Sequence, residues 1–179
     1  LFSGGGVYFK SPAREPGWNW AGWTDGAGFY RIDNVPGPGF TVKVTHPANV
    51  NSAGEASSSL TEGQVVPVNV TVPGVGSVSG VHRTRNGVAV AGSAYVTAYS
   101  VSDETIYGTT NSNASGVFQI ANVPVGPFRL RAFPIDSHNT MTTREEAELT
   151  ATLTTHGQTL SLDALAAGRR RIAALLEDL

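Results

Sequence analysis

Three tryptophans, Trp18, Trp20 and Trp23, fall in one short stretch and are the residues whose types and spacing most suggest recognition chemistry. Clustered indole faces stack on sugar rings, so they are the candidate ligand-binding residues, with carbohydrate as the ligand class. In a regular strand, alternation puts Trp18 and Trp20 on one face and Trp23 on the other. Packing in a core is the stronger expectation for such a strand Trp. No residues are candidates for catalysis. The four histidines, His46, His82, His138 and His156, are scattered without H-E-x-x-H spacing and read as exposed loop and strand-end residues. Gly76-Ser77-Val78-Ser79-Gly80 carries Val where a nucleophile elbow needs Ser. Ser57-Ser58-Ser59 has no neighbouring base. Asn111-Ser112-Asn113-Ala114-Ser115-Gly116 alternates oxygen side chains like the start of a calcium loop. Its twelfth position is Asn122 rather than a bidentate Glu, so a hairpin turn is expected and no metal. Asn69-Val70-Thr71 and Asn113-Ala114-Ser115 are glycosylation sequons, which have meaning only in a eukaryotic secretory pathway. No cofactor is implied.

Composition narrows the classes. The 179 residues are 40% apolar and 15% charged, below the roughly 25% charge of an average globular chain. Low charge with many Thr, Ser and Val suits strands whose outer faces are neutral. Net charge is −2 with only Lys10 and Lys43 as lysines, so no basic stripe exists to neutralise phosphates and no nucleic-acid partner is expected. Cysteine is absent, which removes disulfides and thiolate metal sites without deciding a compartment. No apolar run reaches the ~18 residues needed to span a bilayer, so membrane insertion is not expected. Leu1-Phe2-Ser3-Gly4 lacks a signal-peptide pattern and an initiator Met, which predicts a fragment of a longer chain.

The elements that must position these residues are written twice. Gly28-Phe29-Tyr30-Arg31-Ile32-Asp33-Asn34-Val35-Pro36 returns 88 positions later as Gly116-Val117-Phe118-Gln119-Ile120-Ala121-Asn122-Val123-Pro124, and the match runs ungapped through 28–44 and 116–132. Strands are expected at 7–10, 18–23, 29–32, 40–45 and 65–72 in the first copy, with a loop or loose edge at 47–59. The second copy predicts strands at 77–81, 94–100, 105–110, 117–120, 128–133, 148–154 and 159–163, and turns at 85–87 and 111–116. Glu62-Gly63-Gln64 and His156-Gly157-Gln158 open the last strand of each copy, 94 positions apart, so the second copy holds six extra residues in its loops. Nothing in the second copy matches the Trp cluster. Beyond Leu165, Ile172, Leu175, Leu176 and Leu179 fit one helical face behind Gly168-Arg169-Arg170-Arg171, giving a short C-terminal helix that forms only if docked.

The repeated stretch resembles the carboxypeptidase regulatory-like, or transthyretin-like, superfamily, which includes Cna-B-type repeats. Gly76-Ser77-Val78-Ser79-Gly80-Val81 matches its opening element, Val90-Ala91-Gly92-Ser93-Ala94-Tyr95-Val96 its second, and 116–132 its third. The resemblance implies an all-β fold of two tandem Ig-like, prealbumin-like antiparallel β-sandwich modules. Module 1 spans 1–75 and lacks its first strand, module 2 spans 76–165, and 166–179 is a basic, amphipathic tail. A rigid junction is expected at 74–77. Some relatives cross-link through a Lys–Asn isopeptide. Here only Lys10, with Asn69 as acceptor, comes near, and Thr45-His46 stands where the required acid would be, so no bond is expected. The C-terminal Tyr-Arg-Gly-Ser of the family's purine-catabolism hydrolases is missing. The implied role is a non-catalytic spacer or adhesion module of a larger secreted or cell-surface protein, expected to be bacterial, partnered by neighbouring domains of its own chain or another surface protein. The alternative is a carbohydrate-binding accessory of a secreted hydrolase, resting on the Trp cluster.

Overall fold

Every regular element among the described residues is a β-strand, as the Val- and Thr-rich composition favours. The computed structural model describes residues 3–14, 16–83, 88, 94–135 and 147–166. The expected C-terminal helix, the turn at 85–87, His138 and the residues from Val90 to Ser93 lie outside these. The chain divides into two units, Leu1–Gly74 and Val75–Leu179.

Unit 1 contains β1 (Gly6–Lys10), β2 (Asn19–Trp23), β3 (Gly39–His46) and β4 (Asn49–Ser59), in one antiparallel sheet of order β2-β1-β3-β4. Alternation in β3 turns Phe40, Val42 and Val44 inward, where they meet Val7 of β1 to form the buried core. Residues 47–59 were expected to be a loop or loose edge, yet Asn49–Ser59 pairs with β3 along its length. Small residues such as Ser57 and Ala56 are poor strand formers alone, but a strongly alternating neighbour supplies the ladder, and Thr41 and Ser57 hydroxyls bond across it at 2.9 Å.

Unit 2 contains β5 (Val75–Arg83), β6 (Ala94–Ser100), β7 (Ile106–Asn111), β8 (Val117–Pro124), β9 (Gly126–Pro134), β10 (Ala147–Leu153) and β11 (Thr159–Ala166). They form a four-stranded sheet, β10-β9-β6-β7, and a three-stranded sheet, β11-β5-β8, in which β11 runs parallel to β5. Val96, Ala98, Phe128, Leu130 and Ala132 from the first sheet and Val78, Phe118, Ile120 and Val123 from the second share one fully buried core. This is an Ig-like β-sandwich.

The sheet order β2-β1-β3-β4 of unit 1 repeats β7-β6-β9-β10 of unit 2 strand for strand. The motif that recurs in sequence builds the same turn and corner in both. Asp25 Oδ1 accepts from the Ala27 and Phe29 amides at 2.9 Å, and Asn113 Oδ1 accepts from Ser115 at 2.9 Å and Val117 at 3.0 Å. The Asn113 oxygen that could have held calcium is thus committed to a hairpin turn. At the corner, Asn34 and Asn122 both adopt positive φ, 57° and 59°, which explains why Asn recurs there. A β-branched residue pays a steric cost of order 1–3 kcal/mol in that region. Asn122→Val is therefore expected to lower unit 2 stability by about that amount, while Asn122→Gly stays within about 1 kcal/mol of the parent, as read from denaturant midpoints.

The two units differ in their second sheet. Two expected strands, 29–32 and 65–72, belong to no ladder among the described residues. Alternation still orders 65–72: Val66, Val68, Val70 and Val72 are half-buried and Val65, Pro67, Asn69 and Thr71 are exposed. In unit 2 the equivalent segments, β8 and β11, are held by β5 between them. Among the described residues of unit 1 no strand takes the place of β5.

Candidate functional site

The outward face of β1, β2 and β3 gathers the three tryptophans. Residues of β1 alternate, so Val7 and Phe9 are buried and Tyr8 and Lys10 point outward. Between β1 and β2 the register slips: Val7 faces Gly22 while Tyr8 faces Trp20, leaving Ala21 as an extra residue. Gly22, at φ 141°, supplies the backbone this bulge needs. The slip reverses the alternation beyond it and turns Trp23 to the same side as Trp20. Trp20 and Trp23 are 49% and 66% exposed, and Trp18 is half-buried. Core packing and the division of Trp18 and Trp20 from Trp23 are both corrected by this bulge, which a regular period cannot reveal.

The rings are ordered against one another. Trp20 meets Tyr8 edge-on at 5.0 Å between centroids and Trp23 edge-on at 4.7 Å. Gly6 leaves room for Tyr8 and Trp20 to pack close to the strand, since a Cβ there would come within 3.3 Å of both and 2.9 Å of Thr45. Both lysines of the chain sit on the remaining indole: Lys10 Nζ at 4.5 Å and Lys43 Nζ at 5.5 Å from the Trp18 ring. Such contacts are worth about 0.5–1 kcal/mol each at an exposed site. Lys10 is thus spread over an aromatic surface in solvent, and Asn69 is exposed as well.

The same face of unit 2 carries different chemistry. Arg131 stands at the position of Lys43, with its Nε 3.1 Å from Glu148 and its guanidinium 5.5 Å from the Tyr99 ring. Arg129 pairs with Glu104. These are partly exposed ion pairs in a shallow surface, each worth no more than about 1 kcal/mol.

The remaining chemistry-bearing residues are spent on structure. His46 and His82 are buried, at 7% and 0% exposure, rather than exposed as expected. His46 Nδ1 accepts from the Ala48 amide at 3.1 Å, and His156 Nδ1 from the Val75 amide at 3.2 Å. Gln64 and Gln158 close the matching turns by accepting from Thr61 and from Thr154 and Thr155. Among the described residues no cluster of three or more His, Asp or Glu side chains could hold a metal ion. No helix among them is long and apolar enough to cross a membrane. Ser57 and Ser58 lie on β4, paired with Thr41 and Phe40.

No protein family model and no curated protein sequence matches the chain. Among solved structures it is similar to the Bacillus anthracis TIE protein, at 12% identity and a TM-score of 0.41, covering 93% of this chain and 31% of that one. It is also similar to BcpA, the major pilin subunit of Bacillus cereus, at 18% identity and a TM-score of 0.37, covering 77% and 41%. The Streptococcal ancillary pilin gives 14% identity and a TM-score of 0.47 over 94% of this chain and 59% of that one. The chain thus spans less than two thirds of each of these structures, and likenesses this distant carry no argument about function.

Proposed function

We propose that this chain is a non-catalytic structural or adhesion module of a larger secreted or cell-surface protein, with unit 1 presenting its contact face. One observation supports the reading above the others. The two copies share their sheet, turns and corners but differ on the outer face of the sheet, where unit 1 exposes Trp20 and Trp23 beside the half-buried Tyr8. Function divides from fold along that line: the shared residues are consumed by folding, and the unshared ones face solvent. Neighbouring domains of the same larger protein and another surface protein are the partners such a module would have.

A second reading, a carbohydrate-binding accessory of a secreted hydrolase, is favoured by the exposure of two of the three tryptophans. Flat aromatic faces beside two lysines suit the apolar face of a sugar ring and its hydroxyls. Both readings meet in one experiment. Tryptophan emission of the purified chain is followed during titration with soluble polysaccharides of neutral and acidic type, in parallel with Trp20→Ala and Trp23→Ala. The spacer and protein-adhesion reading expects no saccharide-dependent change and no turnover of peptide, ester or glycoside substrates. A saturable shift lost in both variants would replace it with the carbohydrate reading, and turnover by the chain itself would sink both.

A further inference from the structure

The outer face of unit 1 carries positive charge of a kind that unit 2 neutralises on its matching face. Lys43 of β3 stands across the ladder from Glu55 of β4, and Arg131 of β9 stands in the same way across from Glu148 of β10. In unit 2 that pair is closed, with Arg131 Nε 3.1 Å from Glu148, and Arg129 is paired with Glu104. In unit 1 the Lys43 ammonium is not on Glu55. It lies 5.5 Å from the centre of the Trp18 ring, and Lys10 Nζ lies 4.5 Å from the same centre. Among the described residues neither lysine has a carboxylate within ion-pair distance. Two ammonium groups on one ring repel each other, and the indole face offsets that repulsion only in part.

Strand register fixes what lies beside the lysines. Trp20, Tyr8 and Lys43 are successive partners across β2, β1 and β3, so Trp20 and Lys43 stand two strand spacings apart, about 9–10 Å. Lys10 is opposite Thr41, whose hydroxyl is bonded on the solvent side to that of Ser57 at 2.9 Å. Trp20 and Trp23 are exposed and meet at 75°, so only one of them can lie flat against a given ring while the other forms a wall. Trp18, half-buried, carries the two ammonium groups instead.

We propose that this face binds an anionic polysaccharide, with a sugar ring stacked on Trp20 against the wall of Trp23 and a carboxylate of the chain held by Lys10 and Lys43. The proposal rests on the carbohydrate reading of the face and adds the charge of its ligand. A carboxylate between the two ammonium groups makes charge-assisted hydrogen bonds to both and removes their repulsion. A uronic acid supplies both halves of what the face offers, because its apolar ring face suits an indole and its carboxylate is fixed to that same ring. An acidic peptide carries its carboxylates on flexible stems, whose ordering costs free energy on binding, and this favours the sugar. Beyond the lysines, Thr41, Ser57 and Glu55 can bond to sugar hydroxyls. Glu55, directly across from Lys43, repels a second carboxylate there and so keeps the anion on the Trp18 side. Unit 2 has no indole, so one site is expected per chain.

The test titrates the full chain with oligogalacturonate and with its methyl ester, which keeps the rings and removes the charge. Binding is read by tryptophan emission, since all three indoles lie in unit 1, and by calorimetry. Oligogalacturonate is expected to bind saturably, at least tenfold more tightly than the ester, and to weaken as salt is raised. Lys10→Gln combined with Lys43→Gln should erase the difference between the two ligands, and Lys10→Arg with Lys43→Arg should keep it. Trp20→Ala should lose both ligands, and Arg131→Gln on the matching face of unit 2 should change neither. Far-UV circular dichroism checks folding, and if Trp20→Ala unfolds unit 1 the paired lysine variants decide. Equal binding of acid and ester would overturn the proposal and leave the carbohydrate reading standing. Binding of neither would overturn both. Poly-L-glutamate that binds as tightly as oligogalacturonate, unaffected by Trp20→Ala, would overturn the proposal in favour of an acidic protein partner.

Discussion

Phe128→Ala is expected to remove about 3–5 kcal/mol from unit 2, enough to bring it near its unfolding threshold at room temperature. Phe128 is 0% exposed and lies in a core closed by both sheets, so the cavity left by its ring has few routes of collapse. The equivalent Phe40→Ala in unit 1 should cost less. Phe40 is 7% exposed, and its neighbours across the core include the half-exposed Tyr30, Ile32 and Val70, which can move into the space. The chain provides its own reporter for the comparison: all three tryptophans lie in unit 1. Unfolding of unit 2 by heat should therefore be strong in far-UV circular dichroism and weak in tryptophan emission. For a unit of this size the expected fall in midpoint for Phe128→Ala is on the order of 15–30 °C. Equal losses from Phe40→Ala and Phe128→Ala would mean that the unit 1 core is closed as fully as that of unit 2.

Much of this architecture is legible in the sequence because the repeat is read twice. Gly28 and Gly116 mark hairpin turns, Asn34 and Asn122 mark left-handed corners, and 40–45 alternates cleanly, so β3 and β9 follow from period and punctuation. Two kinds of error come from reading segments one at a time. Residues 49–59 look too small and polar for a strand, yet β3 recruits them, because a ladder depends on the partner as much as on the segment. Residues 29–32 and 65–72 look like strands and keep the right alternation, but a strand exists only where a neighbour accepts its hydrogen bonds.

The candidate face was less legible than the fold. Residue type alone drew attention to Trp18, Trp20 and Trp23, but their orientation depends on the bulge at Ala21, where one extra residue reverses the alternation. Gly22 is the signal that could have found it, since an isolated glycine inside an aromatic strand marks a bulge. The contribution of Tyr8, Lys10 and Lys43 required knowing that β1 lies between β2 and β3. No periodicity within a single segment carries that information.

Gly80→Ala is expected to destabilise unit 2 by about 1–3 kcal/mol although it adds only a methyl group. Gly80 lies on the central strand β5 with its Cα against the Phe118 ring on one side and the Leu162 carbonyl on the other. A Cβ would stand 2.9 Å from each. The ring can be accommodated, because Phe118 can rotate or be shortened. The carbonyl cannot, because it belongs to β11, which is itself laddered to β5. Phe118→Leu is therefore expected to recover only part of the loss in the double variant, with the remainder appearing as faster amide exchange along β11. Full rescue would assign the whole penalty to the ring and leave the glycine spacing of β5 without a backbone reason. A residual loss localised to β11 would instead assign the glycine at position 80 to the backbone of the strand beside it.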